Sequence, residues 1–321
     1  MSKLRIMFYT DVLNYRGTAV AIADYAHFNQ ELLGNESVIC YGSDRVYEKD
    51  LGTEPAVLAQ FQSKYQVLGY TGNNINQLVD DHKIDVAYFI RSGDRGFLPD
   101  NCKTLVHSVF QLYEPHGDRY AYVSEWLALT MNMRHNSRIP SVPHIVNLPE
   151  PTGDLRAELQ IPAGQTVIGR HGGYFSFDLP WVYEVLSHVL DERPDYTFLF
   201  LGTRPWIDHP RVIFLPENHD LQYKVNFINT CDAMIHARSN GESFGLSIAE
   251  FLSQNKPVIA GNGGNDHNHL AMLAGSGLLY NNHVELKQML LNFKDIKQDW
   301  SARTAEFRPA AAMAKFKQVF L

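Results

Sequence analysis

The sequence predicts an α/β protein built from two doubly wound, Rossmann-like halves. Short, largely apolar strand-like runs alternate with helical segments along almost the whole chain, the pattern of strands buried between helix layers. The length, 321 residues, suits two domains of about 150 residues each. Near the middle, Pro140–Gly164 gathers Pro140, Pro143, Pro149, Pro151 and Pro162 with Gly153 and Gly164, the composition of an interdomain linker.

Leu4–Thr10 is the first buried strand. The turn Asp11–Gly17 follows, and Thr18–Leu33 reads as a helix through Val20, Ala23, Ala26, Leu32 and Leu33. Strand, turn and helix invite a dinucleotide site, but G-x-G-x-x-G is absent and only Gly17 is in place, which disfavours a hydride-transfer enzyme. Ser37–Tyr41, Tyr65–Gly69, Ile84–Ile90 and Lys103–Ser108 are further strands. Gly42–Lys64 is a charged loop with one short helix, and Asn73–His82 and Trp126–Arg134 are helices. Arg91 and Arg95 follow a strand's carboxyl end, where a doubly wound sheet opens its crevice. Ser141–Pro149 reads as a short strand and hinge.

In the second half, Gln165–Arg170, Tyr196–Gly202, Arg211–Leu215, the run ending at His236, Pro257–Ala260 and Gly277–Tyr280 are strands. Asp220–Asn229, His283–Phe293 and Trp300–Phe307 are helices. Asp178, just before Leu179-Pro180, reads as an N-cap with proline in the first turn. Pro309–Leu321 is amphipathic, with Met313, Phe316, Val319 and Phe320.

Composition narrows the function. A net charge of −7 argues against nucleic acid or an anionic membrane as the main partner of the whole chain. No apolar run reaches the roughly 18–20 residues of a membrane span, and the first ten residues read as a strand rather than a signal peptide. The expectation is a cytoplasmic protein, with peripheral membrane contact left open. Cys40, Cys102 and Cys231 are an odd, widely spaced set that reads as buried free thiols. The sequon at Asn35 reads as chance without a secretion signal.

The chemistry concentrates in Ala233–Ala260, AMIHARSNGESFGLSIAEFLSQNKPVIA. Strand, polar turn, a helix beginning near Ser243 and a second strand make a βαβ unit. From Phe244 to Leu252 the helix is apolar except for Ser247 and Glu250. An unpaired buried carboxylate is very costly, so Glu250 either escapes to the surface or faces a hydrogen-bonding partner. Gly245 costs the helix roughly 1 kcal/mol relative to Ala, a cost that makes sense if a group such as a phosphate approaches the backbone there.

Glu242, the intervening SFGLSIA and Glu250 resemble the E-x7-E signature of retaining GT-B glycosyltransferases, most closely glycosyltransferase family 4. LSQNKPVIAGNGG resembles that family's A-x-G-x-P-V-I-A segment and glycine-rich loop, and KTLVHSVFQLYEPHGDRYAYVSEWLA its run into a V-S-x-W-L helix. The resemblance implies a GT-B fold of two Rossmann-like domains facing a central cleft: an acceptor-side domain at 1–149, a donor-side domain at 150–305, and a last segment, 306–321, crossing back to the first domain. It implies transfer of a sugar from a UDP- or GDP-sugar to a glycan, lipid-linked or small-molecule acceptor hydroxyl, with retention and without cofactor or metal.

Carried over residue by residue, Glu242 contacts the donor sugar, Glu250 holds the ribose hydroxyls, and the backbone at Ser243, Phe244 and Gly245 approaches the pyrophosphate. Gly169-Arg170 matches the family's G-R pair, so Arg170 neutralises the pyrophosphate, a task suited to a planar, always-charged fork. His107 falls where the family places a histidine beside the sugar; a core histidine at a strand end is the other reading. Gly17 corresponds to a phosphate-facing glycine loop, or is a plain turn residue. The chain departs from the family about five residues after Arg170, where Phe175 replaces an expected Lys. Gly172 and Gly173 amides are the candidates to meet that charge, with Arg204 or Arg238 adding to it. The H-x-H spacing in Asn265–His269 lacks a third ligand and reads as a polar loop. Two other functions share these features: a sugar-nucleotide epimerase, and a non-catalytic nucleotide- or glycan-binding module.

Overall fold

The computed structural model describes residues 3–14, 17–44, 52–218, 220–294 and 298–321. The chain forms two compact units, Met1–Ile145 with Glu306–Leu321, and Val146–Ala305.

The first unit runs β1 (Arg5–Thr10), α1 (Gly17–Glu31), β2 (Glu36–Gly42), α2 (Pro55–Gln62), β3 (Gln66–Tyr70), α3 (Ile75–Asp81), β4 (Val86–Arg91), β5 (Lys103–Ser108), β6 (Arg119–Tyr122) and α4 (Glu125–His135). All six strands are parallel, in the order β3-β2-β1-β4-β5-β6. β1 and β4 are central, and almost every residue in them is buried, which is why they read as apolar runs without alternation.

The second unit runs β7 (Thr166–His171), α5 (Pro180–Glu192), β8 (Tyr196–Leu201), β9 (Val212–Leu215), α6 (Leu221–Thr230), β10 (Ala233–His236), β11 (Gly241–Glu242), α7 (Leu246–Ser253), β12 (Val258–Gly261), β13 (Asp266–His267), α8 (Asn268–Met272), β14 (Leu279–Tyr280) and α9 (His283–Leu291). Its main sheet is parallel throughout, in the order β14-β12-β10-β7-β8-β9, while β11 and β13 pair separately. Numbered within each unit, the strands of both main sheets follow 3-2-1-4-5-6, the Rossmann order. The strand order reverses between β1 and β4 in one unit and between β7 and β10 in the other.

A 3₁₀ segment, Ser301–Phe307, takes the place of the helix expected over Trp300–Phe307, and α10 (Pro309–Phe320) follows. α10 belongs to the first unit. Phe316 packs 5.2 Å from Tyr25 and 5.6 Å from Tyr88, and Phe320 5.5 Å from the His107 ring, centroid to centroid.

Several local readings change. The strand expected over Ser141–Pro149 shrinks to a single bridge between Tyr122 and Ser141. Asp178 does not cap α5, whose N-cap is Leu179; its carboxylate instead accepts the Ser239 amide and hydroxyl at 2.7 and 2.6 Å. α7 starts at Leu246 rather than near Ser243. Asn265–His269 is no loop, because Asp266–His267 pairs with Gly241–Glu242 and α8 begins at Asn268. Cys40 and Cys231 are buried, whereas Cys102 is only half-buried. Tyr15 and Arg16 of the Asp11–Gly17 turn, and 45–51 of the Gly42–Lys64 loop, lie outside the described residues.

Candidate functional site

In a doubly wound sheet, ligands bind beyond the carboxyl ends of the strands where the order reverses. In the second unit those ends are His171, closing β7, and His236, closing β10. Both predicted glutamates gather there, each held by partners from other elements.

Glu250 lies on α7 in a run of five buried residues, Ile248–Leu252, and is 4% exposed. Its carboxylate faces a built set of partners. Lys224 Nζ of α6 donates to Oε1 at 2.9 Å, and His171 Nε2 lies 3.1 Å from Oε2. Burial pushes the Glu250 pKa up, but Lys224 and then the His171 bond outweigh it and hold the group at about 2. His171 is itself pulled down by burial, opposed by Glu250. The carboxylate is thus ionised and anchored.

Glu242 is held in the same manner. His236 Nε2 donates to Oε1 at 3.1 Å and Arg238 Nη1 to Oε2 at 2.7 Å. Burial raises its pKa, and the His236 bond with the His236 and Arg238 charges outweighs it, so the net shift is downward. Between the two glutamates, Gly245 has φ +91°, so its role as left-handed N-cap accounts for the glycine. A Cβ there would lie 3.2 Å from the Glu242 Cβ. Ahead of Glu242, a Cβ on Gly241 (φ +71°) would lie 2.0 Å from the Asp266 carbonyl oxygen. The backbone therefore closes tightly around Glu242, and Asn268 ties down the Phe244 carbonyl at 2.7 Å.

Arg170 is buried. Its guanidinium bonds the Thr203 hydroxyl, the Gly173 carbonyl at 3.1 Å and the Ser176 hydroxyl at 2.7 Å, and lies over the Phe177 ring at 5.5 Å. It clips the Gly172–Ser176 loop, and burial lowers its pKa, opposed first by the Glu242 charge. Gly172 and Gly173 lie in that loop, and Tyr174 and Phe175 at its tip are 48% and 74% exposed.

In the first unit, Gly17 opens α1, and a Cβ placed on it would meet nothing within 4 Å. His107 is 0% exposed. The Tyr88 hydroxyl donates to its Nδ1 at 2.7 Å and its Nε2 donates to the Val142 carbonyl at 2.9 Å, so both ring nitrogens are spent inside the core. Burial lowers its pKa to about 4. Arg91 folds back over Phe89 and Phe97, at 4.8 and 5.4 Å. In the second unit, His267 and His269 send Nε2 to different carbonyls, of Gly264 and Gly261.

Lys224, His171 and His236 escaped the sequence reading. His171 directly follows the Gly-Arg pair, and Lys224 shares a helix face with Ile228 one turn on, a cation set into an inward stripe. Those were the available signals.

Comparison with solved structures gives full-length matches. A glycosyltransferase from Rickettsia africae aligns at 14% identity with TM-score 0.67, covering 100% of this chain and 98% of that one. The fold is GT-B. Anabaena HepE, solved with UDP and glucose, aligns at 15% identity and TM-score 0.65, covering 99% and 95%. A UDP-N-acetylglucosamine 2-epimerase described as putative, from Listeria monocytogenes, aligns at 12% and 0.60, covering 99% and 95%. No family model matches the chain, and no curated protein matches it in sequence. Among the described residues, no helix is long and apolar enough to cross a membrane.

Proposed function

We propose that the chain is a retaining, family-4-like glycosyltransferase that moves a sugar from a UDP- or GDP-sugar to an acceptor hydroxyl in the cytoplasm. The observation that carries this reading is the pair Glu242 and Glu250, both ionised and rigidly held beside the carboxyl ends of β7 and β10. Glu250 would accept the two ribose hydroxyls on its carboxylate, while Glu242 would hold the sugar. Ser243, Phe244 and Gly245 would line the diphosphate with Gly172 and Gly173. Arg238 would contribute charge from its bond to Glu242, and Arg170 would act by fixing the glycine loop and by its own buried charge. Lys224 would offset the negative charge gathered there, the task expected of the Lys that Phe175 replaces. Retention would follow from acceptor attack on the leaving-group face, with the departing diphosphate taking the acceptor proton. We assign His107 a core role, and the first unit, with Gly17 at its crevice, the acceptor.

Titration calorimetry with UDP and GDP tests the donor site. Hydrogen bonds to a charged group are worth about 1.5–3 kcal/mol, so Glu250→Gln should weaken the preferred nucleotide by about 10- to 150-fold. Glu242→Gln should mainly lower turnover. Unchanged affinity in folded Glu250→Gln protein would overturn the ribose assignment. The fold likeness to a 2-epimerase supports a second reading, in which the donor is converted without any acceptor; NMR of a UDP-sugar incubated alone separates the two.

A further inference from the structure

We propose that His236 is a positioning residue for Glu242 that takes up one proton when a nucleotide sugar binds, so that donor affinity falls as pH rises. The inference rests on the nucleotide-sugar reading above and concerns the second unit alone. Its starting point is a pair of unshared ring nitrogens. His236 closes β10, and its Nε2–H donates to Glu242 Oε1 at 3.1 Å. His269 of α8 stands 5.2 Å away, ring to ring, and its Nε2–H donates to the Gly261 carbonyl at 3.1 Å. Both side chains are buried. Among the described residues, Nδ1 of each has no hydrogen-bond partner. Buried polar atoms are normally satisfied, and with Nε2–H given to an oxygen each Nδ1 carries a lone pair. A proton from solvent would form an N–H bond at His236 Nδ1, next to a ring that still has a lone pair to offer.

The charge balance calls for that proton. Arg170, Arg238 and Lys224 bear on Glu242 and Glu250, leaving a single net positive charge. The diphosphate of a nucleotide sugar brings two negative charges, so the occupied site is one proton short of neutral. Asp178 and Asp266, which bond Ser239 and Asn240 nearby, deepen the deficit. Uncompensated charge in a buried site is costly. The other titratable groups around His236 are poorer hosts. Burial holds His171 down against the pull of Glu250, with Lys224 and Arg170 adding to it. Burial and the nearby His236 hold His269 at about 4, and His267 spends Nε2 on the Gly264 carbonyl. The Tyr280 hydroxyl donates to the His236 carbonyl at 2.7 Å, and burial pushes its pKa far up. His236 is bonded to a carboxylate, and an imidazolium there makes that bond charge-assisted, fixing Glu242 harder as the donor arrives.

Titration calorimetry of the full chain tests it, with UDP-glucose and GDP-mannose as probes because their diphosphates do not titrate near neutral pH. Runs in PIPES, HEPES and Tris, whose ionisation heats differ, count the protons. Wild type should take up about 0.5–1 proton per nucleotide sugar, and from about pH 6.5 upward its affinity should fall by up to about tenfold per pH unit. His236→Gln keeps an N–H for Glu242 but cannot accept a proton, so the uptake should drop to near zero and the pH slope flatten. His171→Gln should keep the uptake. In histidine 1H–13C spectra of the wild type, the His236 Cε1–H signal should move to its imidazolium position when UDP-glucose is added, a readout that needs no variant to fold. Binding without proton uptake overturns this inference and leaves the donor reading standing. So does uptake that persists in His236→Gln, or a His236 signal that stays neutral in the complex. If neither nucleotide sugar binds, the donor reading falls and this inference falls with it.

Discussion

Lys224 and Glu250 form a buried pair whose removal should behave as a coupled event. Lys224 Nζ sits 2.9 Å from Oε1, with side-chain exposures of 15% and 6%. Breaking such a pair by deleting one partner costs about 3–5 kcal/mol, because the other charge stays buried without compensation. The partial exposure of Lys224 and the surviving His171 contact place Lys224→Met at the lower end, about 3 kcal/mol. Glu250→Gln, which keeps the shape and removes the charge, should cost about 2 kcal/mol. In the double variant neither charge remains, so its loss should fall short of the sum by at least about 1.5 kcal/mol. Urea unfolding of the four proteins at pH 7 measures this cycle. The pH dependence gives an independent readout. In the wild type Glu250 is depressed to about 2, so its contribution is present above its unfolded value near 4.5 and is lost as pH falls toward 2. Without Lys224, burial weighs more heavily and that acid limb should flatten. Additivity within about 0.5 kcal/mol, with an unchanged acid limb, would refute the coupling.

Three further outcomes are expected. His107 and His269 are held down by burial to about 4, and burial likewise lowers His144, so the fold keeps them neutral. His107 and His269 each contribute on the order of 3 kcal/mol above pH 6.5 that is lost as pH falls toward 4, His144 acts in the same direction, and unfolding midpoints in urea should drop steeply across that window. His107→Ala should cost about 3 kcal/mol or more by orphaning the Tyr88 hydroxyl and Val142 carbonyl, yet leave UDP affinity within twofold by calorimetry; a larger affinity loss in folded protein would revive a ligand-facing role. Gly241→Ala forces a Cβ against the Asp266 carbonyl at positive φ and should cost about 3 kcal/mol or more, read as a lowered thermal midpoint.

The fold was legible because it is written in burial. Tyr196–Leu201 is buried at every position and reads as an unbroken apolar run, and the E-x7-E spacing survives any shift of a helix start. The site was less legible because partner choice is made across elements. Arg170 could be located from its neighbour Gly169, but not its bonds to Thr203, 33 residues away, and Ser176. The question of whether Glu250 escapes or is paired was settled by Lys224, which lies 26 residues upstream on another helix. His107 illustrates the converse. A strand-end histidine looks the same whether it meets a ligand or a tyrosine, and the tyrosine that claims it lies on the neighbouring strand.

α10 gives the first unit an unusual assembly history. Phe316 and Phe320 complete the aromatic core around Phe8, Tyr25 and Tyr88, and Lys103 Nζ bonds the Phe320 carbonyl at 2.9 Å. During synthesis the ribosome must make the whole of Val146–Ala305 before those rings exist. The half of the protein that emerges first therefore cannot complete its core beside α1 until the last residues of the chain have been made.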